Sequence, residues 1–229
     1  IEKNKHVINA NNFNINSNIQ NTKAIELSNV SFKYLGSEIN IFDNLNLTID
    51  RNKHTVITGS NGSGKSTFLG ICSGVFYPDI GTVETFSENF GYVGVTPLIF
   101  SDTLKNNLIY ANKHDVTDEE ILKLVKLFEL FNESNEIDLN MEVNNKSLSS
   151  GQMQKIGFIR ALLSKPEILI LDEAMANLDE ASKELVLSII DDQKITVINS
   201  THDPERYKNF DTILRLEMNG EKREINFIH

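Results

Sequence analysis

A glycine-rich segment constrains the fold of this chain more than any other feature. It runs Gly59-Ser60-Asn61-Gly62-Ser63-Gly64-Lys65-Ser66 and matches the pattern G-x-x-x-x-G-K-[ST] at every fixed position, between a predicted strand and a predicted helix. The glycines let backbone N–H groups curl around phosphate oxygens, and the helix N-terminus adds positive potential. The segment therefore predicts a phosphate-binding loop for a nucleoside triphosphate, with Lys65 near the β- and γ-phosphates and Ser66 on Mg²⁺.

Predicted strands and helices alternate along most of the chain. Apolar periodicity predicts strands at 24–30, 39–49, 53–58, 82–86, 90–93, 168–171, 194–199 and twice within 212–227, and helices at 65–72, within 102–131, at 149–163 and at 180–190. Strands that alternate with helices predict an α/β fold with a largely parallel sheet.

A second polar feature follows the apolar strand predicted at 168–171. This strand ends in two adjacent carboxylates, Asp172 and Glu173. A carboxylate at the tip of a buried strand beside a phosphate loop is placed to hold Mg²⁺, which is the role expected for Asp172. Glu173, one residue later, is the candidate general base that orients an attacking water.

Composition excludes several classes of protein. The chain carries 22 basic against 32 acidic side chains, a net charge of −10. It has no basic run typical of nucleic-acid binding, so we expect no nucleic-acid partner. No apolar stretch approaches the ~20 residues that a membrane-spanning helix needs. The single cysteine, Cys72, excludes an intrachain disulfide.

The first 23 residues are polar and rich in asparagine. They contain few large apolar side chains, so we predict a flexible linker or arm at 1–23 and a folded domain at 24–229. Because the sequence begins with Ile1, we expect a processed chain or a piece of a longer polypeptide.

Further motifs carry a family resemblance. Leu148-Ser149-Ser150-Gly151-Gln152 resembles the signature motif of ATP-binding cassette proteins, whose usual form is Leu-Ser-Gly-Gly-Gln. Ala176-Asn177-Leu178-Asp179 resembles the D-loop of that family, and His202 resembles its switch histidine. Tyr34 lies where family members place an aromatic residue under adenine. The resemblance covers residues 24–227 and is closest to the nucleotide-binding domains of exporters.

The resemblance implies a fold and a function. The expected fold is a P-loop NTPase core with a mostly parallel sheet, an N-terminal antiparallel β subdomain and a helical signature subdomain at about 96–163. The expected function is ATP-driven transport, in which ATP hydrolysis is coupled to a transmembrane domain, fused or separate, at the cytoplasmic face of a membrane (the inner membrane if the source is bacterial). Two cassettes would close head to tail over two ATP molecules, with Ser149 and Gly151 acting on the ATP of the partner.

The site residues expected from motif and resemblance fall into three groups. The catalytic residues are Glu173, His202 and Lys65; the nucleotide-binding residues are Tyr34, Gly59, Ser60, Asn61, Gly62, Ser63, Gly64, Lys65, Ser66, Thr67, Ser149, Gly151, Gln152 and Asp179; and the Mg²⁺ ligands are Ser66 and Asp172.

One position departs from the family pattern. The segment from Tyr92 to Phe100 resembles the exporter Q-loop region, but the glutamine position holds Val95. Valine can neither ligate Mg²⁺ nor hydrogen-bond water, so a cassette with weak turnover is one alternative. A soluble cassette that acts on ribosomes or DNA is another. Chromosome-organising relatives place a long coiled coil between the loop and the signature, and the 83 residues from Lys65 to Leu148 leave no room for one.

Overall fold

A computed structural model describes residues 12–16, 22–131, 137–192, 195–207, 209–219 and 222–228. The chain divides into two compact units, residues 1–88 with 210–229 and residues 89–209. Among the described residues, no helix is both long enough and apolar enough to span a bilayer.

The first unit contains a four-stranded sheet in the order β1-β5-β2-β3. Its strands are β1 (Phe13–Ile15), β2 (Lys23–Phe32), β3 (Phe42–Asp50) and β5 (Ile80–Thr85). β2 pairs antiparallel with both β3 and β5, whereas β1 joins β5 in parallel. Toward its end β3 alternates between buried residues, Leu47 and Ile49, and more exposed ones, as expected for a strand with one face on a core, whereas six of the ten residues of β2 are buried. The antiparallel β subdomain expected from the resemblance is therefore present.

β1 lies inside the segment predicted to be a flexible arm. The Phe13 ring meets Tyr77 edge to face at 6.5 Å and lies 3.1 Å from where a Cβ would stand on Gly74. Asn12 also donates to the Pro78 carbonyl at 3.1 Å. These contacts give Asn12 and Phe13 packed partners that local composition does not reveal. Residues 1–11 and 17–21 of the predicted arm lie outside the described residues.

The remaining strands of the first unit position the phosphate loop. β4 (His54–Gly59) runs parallel to β11 (Thr212–Asn219), which pairs antiparallel with β12 (Lys222–Ile228). Helix α1 (Lys65–Cys72) begins where the loop ends, and seven of its eight residues are buried. The predicted strand, loop and helix are confirmed, as are the two C-terminal strands.

The second unit has three parallel strands in the order β10-β9-β6, and their carboxyl ends lie side by side. The strands are β6 (Phe90–Val93), β9 (Ile168–Asp172) and β10 (Thr196–Ser200). The register pairs Ser200 with Asp172, and Val93 with Leu171. The other elements are β7 (Asp102–Thr103), β8 (Glu142–Val143), α2 (Leu104–Ile109), α3 (Asp118–Leu127), α4 (Ser150–Leu163), α5 (Glu180–Asp192) and a 3-10 turn at Pro204–Arg206.

The helical pattern predicted within 102–131 corresponds to two helices, α2 and α3. Ala111 has a φ of +63°, a left-handed conformation that a helix does not continue through. Thr117 then caps α3 and forms a reciprocal capping box with Glu120. One core unites these helices with α4 and the strands; its fully buried members include Leu104, Leu108, Ile121, Val125, Phe128 and Ile159.

Candidate functional site

The phosphate loop has the backbone that its glycines predict. Gly59, Gly62 and Gly64 have φ angles of +147°, +78° and +104°, which L-residues with a Cβ rarely adopt. A Cβ on Gly59 would also stand 2.4 Å from the carbonyl oxygen of Leu216. Gly64 is the N-cap of α1, and no described side chain caps that helix. The first N–H groups of α1 are therefore available to an anion.

Lys65 is buried at the end of the loop. Its Nζ donates to the carbonyl oxygens of Gly59 and Ser60, at 3.0 and 3.3 Å. The Ser63 hydroxyl is also buried, and within the described residues it has no hydrogen-bond partner. The Ser66 side chain is exposed. A cation held by carbonyl groups, a buried hydroxyl and an uncapped helix together fit the phosphates of a nucleotide.

Tyr34 lies in the same unit as the loop. Its hydroxyl is 2.7 Å from Thr67 Oγ1, and its ring packs edge to face against Phe32 and Phe76. The side chain stays 44% exposed. An aromatic ring fixed at its edge, with part of its surface open, fits the stacking role expected under adenine.

Asp172 ends β9 in the second unit, where its buried carboxylate accepts two hydroxyl groups. Ser200 Oγ donates to Oδ1 at 2.7 Å, and the Tyr92 hydroxyl donates to Oδ2 at 3.3 Å. Burial, together with the charge of Asp172, raises the pKa of Tyr92 to about 12. No role for Ser200 or Tyr92 follows from the sequence alone. Ser200 ends β10, one residue beyond the strand predicted at 194–199, and its pairing with Asp172 depends on the register of the sheet.

Glu173 and His202 form a pair, with Glu173 Oε1 and His202 Nε2 2.8 Å apart. The Glu173 N–H donates to both the carbonyl and the hydroxyl oxygen of Ser200, each at 3.1 Å. Glu173 has a left-handed φ of +51°. Both side chains line a cavity of about 290 Å³ with Ser200 and Tyr207. This carboxylate has open space before it and a histidine beside it, which fits the general-base role expected of Glu173.

The signature segment begins α4 with a reciprocal capping box. Ser149 is the N-cap: its Oγ accepts from Gln152 N at 3.2 Å, and its N–H donates to Gln152 Oε1 at 2.9 Å. Gly151 lies in the first turn, and a Cβ there would meet only the Asn177 carbonyl, at 3.3 Å. This capping box uses N–H groups that an uncapped helix would offer to an anion.

Asp179 follows the signature in the D-loop segment of the same unit. Its Oδ1 accepts from Ser182 N at 2.8 Å, and its Oδ2 is 3.1 Å from Lys155 Nζ. The Ser182 backbone bond, with help from Lys155, lowers the pKa of Asp179 to about 2. This carboxylate is therefore ionised at neutral pH.

Val95 presents an apolar side chain that is 44% exposed. The backbone around it is held firmly: Gln154 Nε2 donates to the Gly94 carbonyl at 3.0 Å, and Asn177 Nδ2 donates to the Val95 carbonyl at 3.4 Å. Gln154 is fully buried. The Q-loop segment therefore keeps a defined backbone without the expected glutamine side chain.

The predicted site residues form one group in each unit. The first unit brings together Tyr34, the loop and Thr67, and the second brings together Asp172, Glu173 and His202 at the carboxyl ends of β9 and β10. Ser149, Gly151, Gln152 and Asp179 also lie in the second unit, where the signature and D-loop segments meet at Gly151 and Asn177.

Comparison with known proteins identifies the family. The ABC transporter family model matches residues 42–176, more than half of the chain. The chain is 32% identical over 219 residues to the ATP-dependent permease MDL1 of Candida albicans, which covers 86% of this chain and 32% of that protein. It is 29% identical over 225 residues to the probable iron export ATP-binding protein FetA of Escherichia coli, which covers 91% of this chain and 98% of that protein.

A solved structure agrees with the fold. A bacterial Atm1-family ABC exporter with ATP bound superposes with a TM-score of 0.76 at 24% identity, over 87% of this chain and 38% of that one. The chain spans about a third of the length of the first curated relatives that it matches. From the family match and these relatives, the chain belongs to the ABC transporter family and is a nucleotide-binding domain homologous to those of exporters.

Proposed function

We propose that this chain is the ATP-binding and ATP-hydrolysing motor domain of an ABC exporter, converting ATP and water to ADP and phosphate. The observation that carries the proposal is the phosphate loop, with its left-handed glycines, its buried Lys65 and an uncapped helix N-terminus. ATP would lie with its adenine on Tyr34 and its phosphates against the loop. Ser149 and Gly151 would act on the ATP of a second cassette in a head-to-tail dimer.

The donor chemistry of the chain fits Mg²⁺. Ser66 offers an exposed hydroxyl and Asp172 a carboxylate, the hard oxygen ligands that this ion takes alongside phosphate oxygens and water. When bound, the ion neutralises charge on the phosphates. Glu173 would take a proton from the attacking water, and His202, 2.8 Å from Glu173, would hold that carboxylate in place.

We propose the same domain organisation that the sequence predicts: a linker at 1–23, a cassette at 24–229 and a helical subdomain at about 96–163. Helices α2 and α3 both pack against α4, which supports that subdomain. Two of the relatives illustrate the alternatives for the transmembrane partner. MDL1 is a permease about three times as long as the matched segment, whereas the match spans nearly all of FetA. In either arrangement this domain would lie at the cytoplasmic face of a membrane.

Glu173→Gln tests the proposed reaction. Removal of a general base lowers turnover by about 10² to 10⁴-fold, so we expect ATPase activity to fall by at least about 100-fold while ATP affinity stays within about twofold. Glu184→Gln, the same change at an exposed position of α5, is the control and should keep full turnover. Retention of half the turnover in Glu173→Gln would contradict the assigned role. Absence of ATP binding in the unmodified chain would contradict the function itself.

The second candidate is a cassette that binds ATP and turns it over slowly. The exposed side chain of Val95 favours this candidate, because it has no polar atom to ligate a metal ion or to hydrogen-bond water. Val95→Gln should then raise turnover at least about tenfold. Loss of one outer hydrogen bond at a metal site typically lowers activity by about that factor, and the glutamine would restore such a bond. Unchanged turnover would remove the basis for this alternative.

A further inference from the structure

The two hydroxyl groups on Asp172 differ in origin. Ser200 belongs to the neighbouring strand β10 and lies beside Asp172 in register, so its bond is a local consequence of the sheet. Tyr92 lies on β6 beside Ile170, on the other side of β9. Its side chain extends along the strands to reach Oδ2 at 3.3 Å. This contact depends on a long side chain aimed at one carboxylate.

The turn that follows Tyr92 leaves room for that orientation. A Cβ on Gly94 would stand 3.2 Å from Tyr92 Cε1, tighter than ordinary van der Waals contact. The carbonyl groups of Gly94 and Val95 are held by Gln154 and Asn177, so the turn has a fixed position. Since Val95 carries no polar side-chain atom, the Tyr92 hydroxyl is the polar group that this segment directs at Asp172.

We propose that Tyr92 is a positioning residue for Mg²⁺, holding the Asp172 carboxylate in its ligating orientation in a cassette whose Q-loop has valine. The proposal rests on the proposed function, because it takes Asp172 as the metal ligand. A carboxylate that accepts a hydroxyl hydrogen bond on each oxygen is already ordered, so it loses less conformational entropy when it binds a metal. Removal of such an outer partner typically weakens metal affinity by about 10 to 100-fold.

Tyr92→Phe tests the proposal without removing the ring. The readout is the binding of a fluorescent N-methylanthraniloyl ATP, in EDTA and across a Mg²⁺ titration, with Glu173→Gln as the common background to prevent turnover. Tyr110→Phe is the matched control, because Tyr110 is also about half exposed and its ring packs on Phe100. We expect Tyr92→Phe to raise the Mg²⁺ concentration at half-effect about tenfold and to leave nucleotide affinity in EDTA within twofold. Tyr110→Phe should change neither value.

The outcomes separate the two proposals. An unchanged Mg²⁺ midpoint in Tyr92→Phe overturns the positioning role, and so does an equal loss of nucleotide affinity in EDTA, which would place Tyr92 on the nucleotide or the fold. If the parent background binds no nucleotide in either condition, the proposed function fails instead. A shifted Mg²⁺ midpoint with unchanged affinity in EDTA supports the positioning role alone.

Discussion

The chain begins two helices at predicted anion sites, and the two N-termini are in opposite states. Helix α1 starts at Gly64, a left-handed residue with no side-chain cap, directly after the phosphate loop. Helix α4 starts at Ser149, whose side chain and N–H are both paired with Gln152. The first helix has no side-chain cap on its backbone donors, whereas the capping box of the second pairs the N–H groups of Ser149 and Gln152.

This difference indicates how the two motifs divide the work of binding. An open, preformed N-terminus can accept phosphate without giving up internal hydrogen bonds, so it should bind nucleotide in a single chain. A helix N-terminus with a capping box must break those hydrogen bonds to bind a ligand with the same N–H groups. Otherwise it can offer only the N–H groups that the capping box does not pair. The signature should therefore contribute little until a second cassette presents a nucleotide to it.

The largest effect is expected at the open N-terminus. Lys65→Ala removes a cation that donates two hydrogen bonds inside the loop. Bonds from this cation to the β- and γ-phosphates would be charge-assisted and worth about 1.5–3 kcal/mol each, so ATP affinity should fall by at least about 100-fold in a binding titration. Lys53→Ala, at an exposed ion pair with Asp211 in the same unit, is the control and should bind as the unmodified chain does. Affinity within tenfold of normal in Lys65→Ala would contradict the assignment.

A glycine in each motif gives the next contrast. Gly59→Ala places a Cβ at a φ of +147° and 2.4 Å from a carbonyl oxygen, so the free energy of unfolding should fall by at least about 2 kcal/mol. Gly151→Ala meets one oxygen at 3.3 Å in a helical first turn and should stay within about 0.5 kcal/mol. Urea unfolding of both variants measures the difference. Equal losses would mean that the two backbones are equally constrained.

The cap itself should affect stability rather than binding. Ser149→Ala removes the hydroxyl that accepts from Gln152 N, and a lost N-cap costs about 1 kcal/mol. ATP affinity of the dilute chain should not change. A loss of affinity beyond threefold would show that α4 already contacts nucleotide within one chain, and the contrast between the two helices would fail.

The smallest effect concerns Asp179 and depends on pH. Its pKa in the folded chain is about 2, below the ordinary value of 3.8, so its ionised form favours the folded state. That contribution is complete above about pH 4 and disappears as the pH falls through the folded pKa. Asp179→Asn should therefore lower the free energy of unfolding slightly at pH 7 and by less at pH 3. If Asp179→Asn lowered the free energy of unfolding more at pH 3 than at pH 7, the pKa of Asp179 would be shifted upward in the folded chain, not downward.

Local sequence was enough to predict the elements with strong periodicity or turn chemistry. The phosphate loop, the apolar strand β9 and helix α4 each carry their signal within a short segment. β1 does not, because Phe13–Ile15 is too short to alternate and its partners, β5 and Tyr77, lie far along the chain. The break between α2 and α3 depends on a left-handed Ala111, a residue that otherwise favours helix.

Residues of the candidate site can be proposed from the sequence where a motif fixes the spacing and not where strands bring distant residues together. Lys65, Asp172, Glu173 and His202 follow from order along the chain. Tyr92 and Asp172 are 80 residues apart in the sequence. Their contact depends on the order of the strands in the sheet, which local periodicity does not predict. The capping box at the start of α4 was predictable from the sequence, because Ser149 and Gln152 have the required residue types and spacing.

The left-handed backbone of Glu173 has a consequence for protein engineering. A non-glycine residue in this conformation destabilises the folded chain by about 1 kcal/mol, and here that residue is the proposed general base. Glu173→Gly would remove that cost together with the carboxylate. A selection for heat resistance alone would therefore favour inactive cassettes at this position, and directed evolution of this domain should select for turnover in every round.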